Sequence, residues 1–184
     1  MRSISNLGKQ PAGLPIVADE ILELHAARLL LLFRVCGTRN KINGLTKMAK
    51  LDFFVRYPEF FDEVCEYLGV SPPGTSRGGV ESAMVRHHYG PWDRRYYHVL
   101  AYLEGKGLLS VQKIGNAYDL ELTKHGQASA DKLKDRPAFS ELVTRMRAVK
   151  KVFGAKTGSR IKSIIYEAFG KEVADKKRGE VIAG

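Results

Sequence analysis

"GLLSVQKIGNAYDLELTKHG", residues 107–126, alternates, turns, alternates again and then changes period. Leu109 and Val111 alternate with Ser110 and Gln112, and Tyr118, Leu120 and Leu122 alternate with Asp119 and Glu121. A period of two with one apolar face is the signature of a half-buried strand. Gly115 and Asn116 stand between the two runs, where a two-residue hairpin turn needs residues that tolerate positive φ. Thr123 then reads as the N-cap of a helix over roughly 124–134, because its hydroxyl can accept an otherwise unpaired backbone N–H of the first turn.

Upstream of this hairpin, Trp92, Tyr96, Val99, Leu100 and Leu103 recur at helical spacing. They predict a buried helix from Trp92 or Asp93 to Lys106, closed by Gly105 and Gly107. A short strand precedes it, and Gly90 and Pro91 make the turn between them. Further back, a leucine-rich helix runs from an Asp19 cap to Val35 and stops at Gly37. The loop "GTRNKING" leads to a helix starting near Leu45, with Met48, Leu51, Phe54 and Val55 on its inward face. Pro58 suits the first turn of a third helix, "PEFFDEVCEYLG", whose stripe is Phe61, Val64, Cys65 and Leu68. Its other face carries Glu59, Asp62, Glu63 and Glu66, a solvated acidic face or a contact surface for a basic partner. A Pro/Gly/Ser loop follows at 70–80.

Past Pro137, Phe139, Leu142, Met146, Val149 and Phe153 follow three-four spacing, so this helix can dock on the core or pair with a second chain. "GAKTGS" breaks the pattern, and a last helix runs from Ser159 to Phe169. The order of elements, a helical core and then helix, hairpin and helix, is that of a winged-helix domain. We therefore expect a mainly α fold with a small β-hairpin: a flexible leader at 1–15, a winged-helix-like core at 16–136, and a basic helical extension at 137–184 with a frayed tail.

The formal charge of the 184-residue chain is +10, and its placement decides what it means. Residues 1–144 hold 19 Lys+Arg against 16 Asp+Glu, whereas residues 145–178 hold 11 against 3. Arg145, Arg147, Lys150, Lys151, Lys156, Arg160 and Lys162 follow one another with no carboxylate between them. They are the candidate contacts for a phosphate backbone or an acidic protein partner. The helix before the hairpin offers a weaker reading surface: Arg94, Arg95, Tyr97 and His98, with Asp93 and Glu104 beside them and Asp119 and Glu121 on the wing. Such a surface lacks the cation excess that supplies most DNA affinity.

Cys36 and Cys65 both lie in apolar-periodic segments, which suits buried thiols in a cytoplasmic protein. The most hydrophobic run, 21–37, is interrupted by Glu23, His25, Arg28 and Arg34, so no membrane span is expected. "GAKTGSR" lacks the spacing of a phosphate-binding loop, and His87 and His88, adjacent on a strand, point to opposite faces. No nucleophile–base pair, metal-ligand spacing or cofactor motif is legible, so a non-enzymatic role with no cofactor is expected.

With "KLDFFVRYPEFF" and "ESAMVRHHYGPWDRRYYHVLAYLEGKGLL" in view, the chain resembles the small middle subunit of ABC-three-component systems, the group that includes Lamassu-type anti-phage defence complexes. The matching elements are Lys50-Leu51-Asp52, Arg56-Tyr57-Pro58, Arg86, Tyr89-Gly90-Pro91-Trp92-Asp93, Tyr96-Tyr97 and Gly107-Leu108, within residues 20–125. The resemblance implies a non-catalytic winged-helix subunit that binds an SMC-like ATPase and an effector, commonly a nuclease, with DNA sensing left mainly to the ATPase. It also implies that Arg86, Trp92, Asp93 and Tyr96 fix the turn into the helix. The adaptor reading, with auxiliary sequence-blind DNA contact, stands against a homodimeric winged-helix transcription regulator paired through residues 137–153.

Overall fold

The computed structural model describes residues 21–71, 84–87, 90–115, 117–169 and 181–183. The leader 1–15, the Asp19 cap, residues 72–80 of the expected loop, His88 and Asn116 lie outside the described residues. Helix α1 spans Leu22–Cys36 and buries the run Leu29 to Phe33 completely or nearly so. It stops at Gly37, where an added Cβ would sit 2.3 Å from the Phe33 carbonyl oxygen.

The stretch expected to be a loop, 37–44, contains a strand, β1 (Lys41–Asn43). Three residues with one buried apolar side chain, Ile42, are too few for alternation to register in the sequence. Thr38 and Lys41 exchange both backbone hydrogen bonds, at 3.0 and 3.1 Å, around Arg39 and Asn40, whose φ values are 52° and 65°. This tight turn resembles the mirror-image hairpin turns that follow strand twist.

Helix α2 (Leu45–Arg56) departs from its expected one-sided pattern: every residue from Met48 to Arg56 is buried. It is enclosed by α1, β1, α3 (Pro58–Tyr67), β3 (Gly90–Trp92), α6 (Ser140–Phe153) and α7 (Gly158–Ala168). The third helix begins at Pro58 as anticipated and buries Phe61, Val64 and Cys65.

The expected turn at Gly90–Pro91 is instead the edge strand β3, paired antiparallel with β2 (Met84–His87), so α4 starts later, at Tyr96, and runs to Gly105. Proline has no N–H to give a ladder and is tolerated at such an edge. Strand β6 (Val181–Ala183) pairs with the other side of β2, placing a strand within the tail expected to fray.

The hairpin forms as read. β4 (Leu109–Ile114) and β5 (Ala117–Leu122) pair from Leu109–Leu122 to Ile114–Ala117 around Gly115 at φ 59°, and β1 completes an open three-stranded sheet in the order β1-β5-β4. The Thr123 hydroxyl accepts the Gly126 N–H at 3.0 Å, capping α5 (Lys124–Lys134) as expected. A single 3-10 turn at Pro137–Phe139 leads into α6. Helix α7 begins at Gly158, one residue before the expected Ser159, and is capped by Thr157, whose hydroxyl accepts the Arg160 N–H at 3.2 Å. Gly158, the first residue of the helix, lies against α2, where a Cβ would be 2.9 Å from the Lys47 nitrogen.

The result is a mainly helical fold with a small open sheet. Residues beyond Pro137 share its core: Val143, Met146, Val149 and Phe153 of α6 join Ile161, Ile164 and Ile165 of α7 in the same cluster as Leu29, Phe54 and Leu120. Phe54 and Phe153 stack at 4.6 Å between ring centres, and Phe60 meets Phe169 edge-on at 5.3 Å. The boundary expected near residue 136 therefore does not divide the hydrophobic core.

Two glycine substitutions test this packing. A Cβ on Gly126 would lie 1.9 Å from the Leu108 carbonyl oxygen, so Gly126→Ala should lower stability by about 2–3 kcal/mol, read from the urea midpoint. Gly105→Ala, at a helical position with open space around it, should raise stability by about 0.5 kcal/mol in the same assay.

Candidate functional site

The charged residues enclosed around α2 form one connected cluster. Asp52, fully buried, accepts Arg28 Nε at 2.9 Å and Nη2 at 3.3 Å, and its Oδ2 also accepts the Tyr96 hydroxyl at 2.8 Å. One turn along α2, Arg56 Nη1 donates to Asp93 Oδ2 at 2.9 Å. Arg95 holds the same carboxylate, its backbone N–H and Nε donating to Oδ1 at 2.9 Å each and Nη2 to Oδ2 at 2.8 Å. His25 lies between the two halves, with Nδ1 2.9 Å from Arg28 Nη1 and Nε2 3.0 Å from Arg95 Nη1. A neutral imidazole has one acceptor nitrogen, so its tautomer selects which arginine it accepts from. The cluster thus ties α1, α2 and the entry to α4 together.

Burial alone would raise the Asp93 pKa, but the Arg95 hydrogen bonds and the charges of Arg95 and Arg56 bring it down to about 2. Burial and then Asp52 raise the Tyr96 phenol well above its usual range. Lys50, also fully buried, is pushed down to about 7 by desolvation first and by the Lys162 charge second. None of these polar contacts was evident from spacing along the chain. The signal was present in α2: Lys50, Asp52 and Arg56 interrupt a stretch, Met48–Arg56, whose other residues are all apolar.

The cluster changes the expected reading surface. Asp93, placed on the exposed face by helical periodicity, is 5% exposed, and Arg95 is turned onto it. Arg94, Tyr97 and His98 remain exposed, and the Tyr97 ring packs against Trp92 with centres 5.7 Å apart. On the wing, Ile114 is 61% exposed and Tyr118 37%, while Asp119 pairs with Lys41.

The seven cations of the basic tract do not share one face. Arg147, Lys150 and Lys151 lie together on α6 at i, i+3 and i+4. Arg145 sits on the opposite flank, roughly 160° away, with Glu141 at 2.6 Å. Arg160 pairs with Glu167 at 3.1 Å, and Lys162 Nζ lies 5.7 Å from the Tyr166 ring centre. Lys156 is half-buried between α6 and α7.

The apolar stripe of α6, expected either to dock or to dimerise, docks: Met146, Val149 and Phe153 are fully buried within the chain. On α3, Glu59, Glu63 and Glu66 are exposed and Asp62 is half-buried. Desolvation, then Glu66 and Glu59, raise the Asp62 pKa.

Among the described residues, no group of three or more His, Cys, Asp and Glu could hold a metal ion, and no helix is long and apolar enough to cross a membrane. Cys36 is buried, its thiol 3.2 Å from the Met146 carbonyl oxygen and pushed up to about 12, by burial above all.

Two measurements probe the cluster. The Asp93 pKa lies below its unfolded value, so its stabilisation is complete above about pH 4 and disappears as pH falls through about 2. Asp93→Asn should cost about 3 kcal/mol at pH 7 and flatten that acid limb in urea unfolding. Lys50 gives a slope of the same sign in a higher window: the unfolded chain keeps its proton to higher pH, so folding is favoured as pH rises from 7 to 9. Relative to wild type, Lys50→Met should lose about 1 kcal/mol per pH unit of this dependence. No family model, curated protein or solved structure matches the chain.

Proposed function

We propose that this chain is a non-catalytic adaptor of winged-helix type, bridging an SMC-like ATPase and an effector nuclease in a cytoplasmic anti-phage defence complex, with auxiliary sequence-blind contact to DNA. The observation that carries this reading is the state of the face a DNA reader needs. Arg95 is turned inward onto Asp93 and His25, so α4 offers Arg94 beside exposed Tyr97, His98 and Glu104. The wing adds Ile114 and Tyr118 with Lys113 and Glu121. Exposed aromatic and aliphatic groups with mixed charge suit a polypeptide interface, whereas groove binding draws its affinity from cations that neutralise phosphates.

The family assignment is supported by where its matching residues lie. Asp52, Arg56, Asp93 and Tyr96, which carry the resemblance, meet in the buried cluster, with fully buried Lys50 beside them on α2. Residues used in this way maintain a fold, consistent with a subunit that supplies shape and surfaces to its partners.

Affinity capture of the full chain from its native host should recover a long-coiled-coil ATPase and a nuclease by mass spectrometry. The triple variant Tyr97→Ser, Ile114→Ser, Tyr118→Ser should lose at least one of them while its urea midpoint stays within about 0.5 kcal/mol of wild type. A stable homodimer selecting a palindromic duplex in near-physiological salt would overturn the proposal in favour of a transcription regulator.

A further inference from the structure

Given the auxiliary DNA contact proposed above, we infer that its centre is the Arg39 turn between α1 and β1, acting with the Arg147–Lys150–Lys151 flank of α6 as a clamp on the phosphate backbone of duplex DNA. The turn is an unusual place for an arginine. Arg39 and Asn40 both have positive φ, a conformation that side chains with a Cβ adopt at a cost and that Gly or Asn fills more readily. Asn40 has a structural reason to be there: its Oδ1 accepts Arg34 Nη1 at 2.8 Å and its carbonyl accepts the Leu122 N–H at 3.0 Å. Arg39 is exposed and makes no ion pair among the described residues. Strain held without an internal contact to justify it marks a residue retained for something outside the chain.

The neighbourhood is cationic and tethered. Lys150 Nζ donates to the Gly37 carbonyl at 3.3 Å, and the Cys36 thiol meets the Met146 carbonyl at 3.2 Å, so the end of α1 is fastened along α6. This ties Gly37, two residues before Arg39, to Lys150, whose flank of α6 also carries Arg147 and Lys151. Three carboxylates lie near the turn: Asp131, held by Arg34 at 2.9 Å and by Lys134 at 2.9 Å, Asp119, paired with Lys41, and exposed Glu121, opposite Lys41 in the sheet. Against Arg34, Arg39, Lys41, Lys134 and the three α6 cations the local balance stays positive. Cations presented from a turn tip and a helix flank fit a repeating backbone charge rather than a single small anion. The turn sits at the base of the hairpin, where Asn40 meets Leu122, at the opposite end of β5 from the wing tip at Ile114, so DNA held there would leave α4 and the wing tip to engage protein.

The test is fluorescence anisotropy of the full chain with a labelled duplex of arbitrary sequence, titrated with salt. Arg39→Gly relieves the backbone conformation and should fold at least as well as wild type. It should bind about three- to tenfold more weakly at low salt, with a salt slope shallower by about one ion. Arg147→Gln with Lys151→Gln should weaken binding further. Lys106→Gln, which removes the same charge from an exposed position just past the end of α4, should leave affinity unchanged.

Wild-type affinity and slope in Arg39→Gly, with the duplex still bound, would overturn the role of the turn and leave the broader DNA contact standing. Absence of duplex binding by the wild-type chain at low salt would overturn both. If Arg39→Gly weakened binding of labelled polyglutamate but not of the duplex, the turn would belong to an acidic protein partner and the inference would fail.

Discussion

A helix surrounded on every side cannot place a charge in solvent, and α2 carries three fully buried ionisable side chains, Lys50, Asp52 and Arg56, besides half-buried Lys47. Everything near it is arranged around that constraint. Asp52 is matched by Arg28 and the Tyr96 hydroxyl, and Arg56 by Asp93, with Arg95 and His25 linking the two pairs. Leaving one member of such a pair uncompensated costs about 3–5 kcal/mol, a large part of the net stability of a domain this size. Helix α1 must therefore present His25 and Arg28 at α2, and the β3–α4 junction must deliver Asp93, Arg95 and Tyr96 to the same place.

That geometry accounts for the character of the outer surfaces. The turn that brings Asp93 inward takes Arg95 with it and removes a cation from the outer face of α4. On the far side, α6 and α7 close over α2 through Met146, Phe153, Ile161 and Ile165, and their cations are divided among several directions as a result. The basic C-terminal tract is contiguous in sequence and dispersed in space. The positive surface around the α1–β1 turn and one flank of α6 joins residues more than a hundred positions apart.

Much of the architecture was legible from periodicity and punctuation. The hairpin at 109–122, the Thr123 cap, the Pro58 helix start and the stripes of α4 and α6 follow from local chemistry, and the chain forms them. Strand β1 escaped notice because three residues hold too little pattern, and its existence depends on pairing with β5, about 80 residues away. Helix α4 was read as starting too early because Trp92 has the right spacing for its stripe yet belongs to an edge strand. Asp93 was misplaced for the same reason. The surfaces were less legible than the core: which arginine is exposed depends on partners such as His25 and Asp93, and helical spacing does not reveal a contact between residues 25 and 95.

The second sheet carries a consequence for how the chain assembles. Strand β6 reaches β2 across nearly the whole C-terminal half of the sequence, through two paired positions and a break in register. Closing so long a loop for so few hydrogen bonds is unfavourable until the intervening helices have already drawn the two ends together. The docking of β6 onto the local β2–β3 hairpin is thus a late step in folding, and by the same reckoning a pairing that opens early when the native state fluctuates.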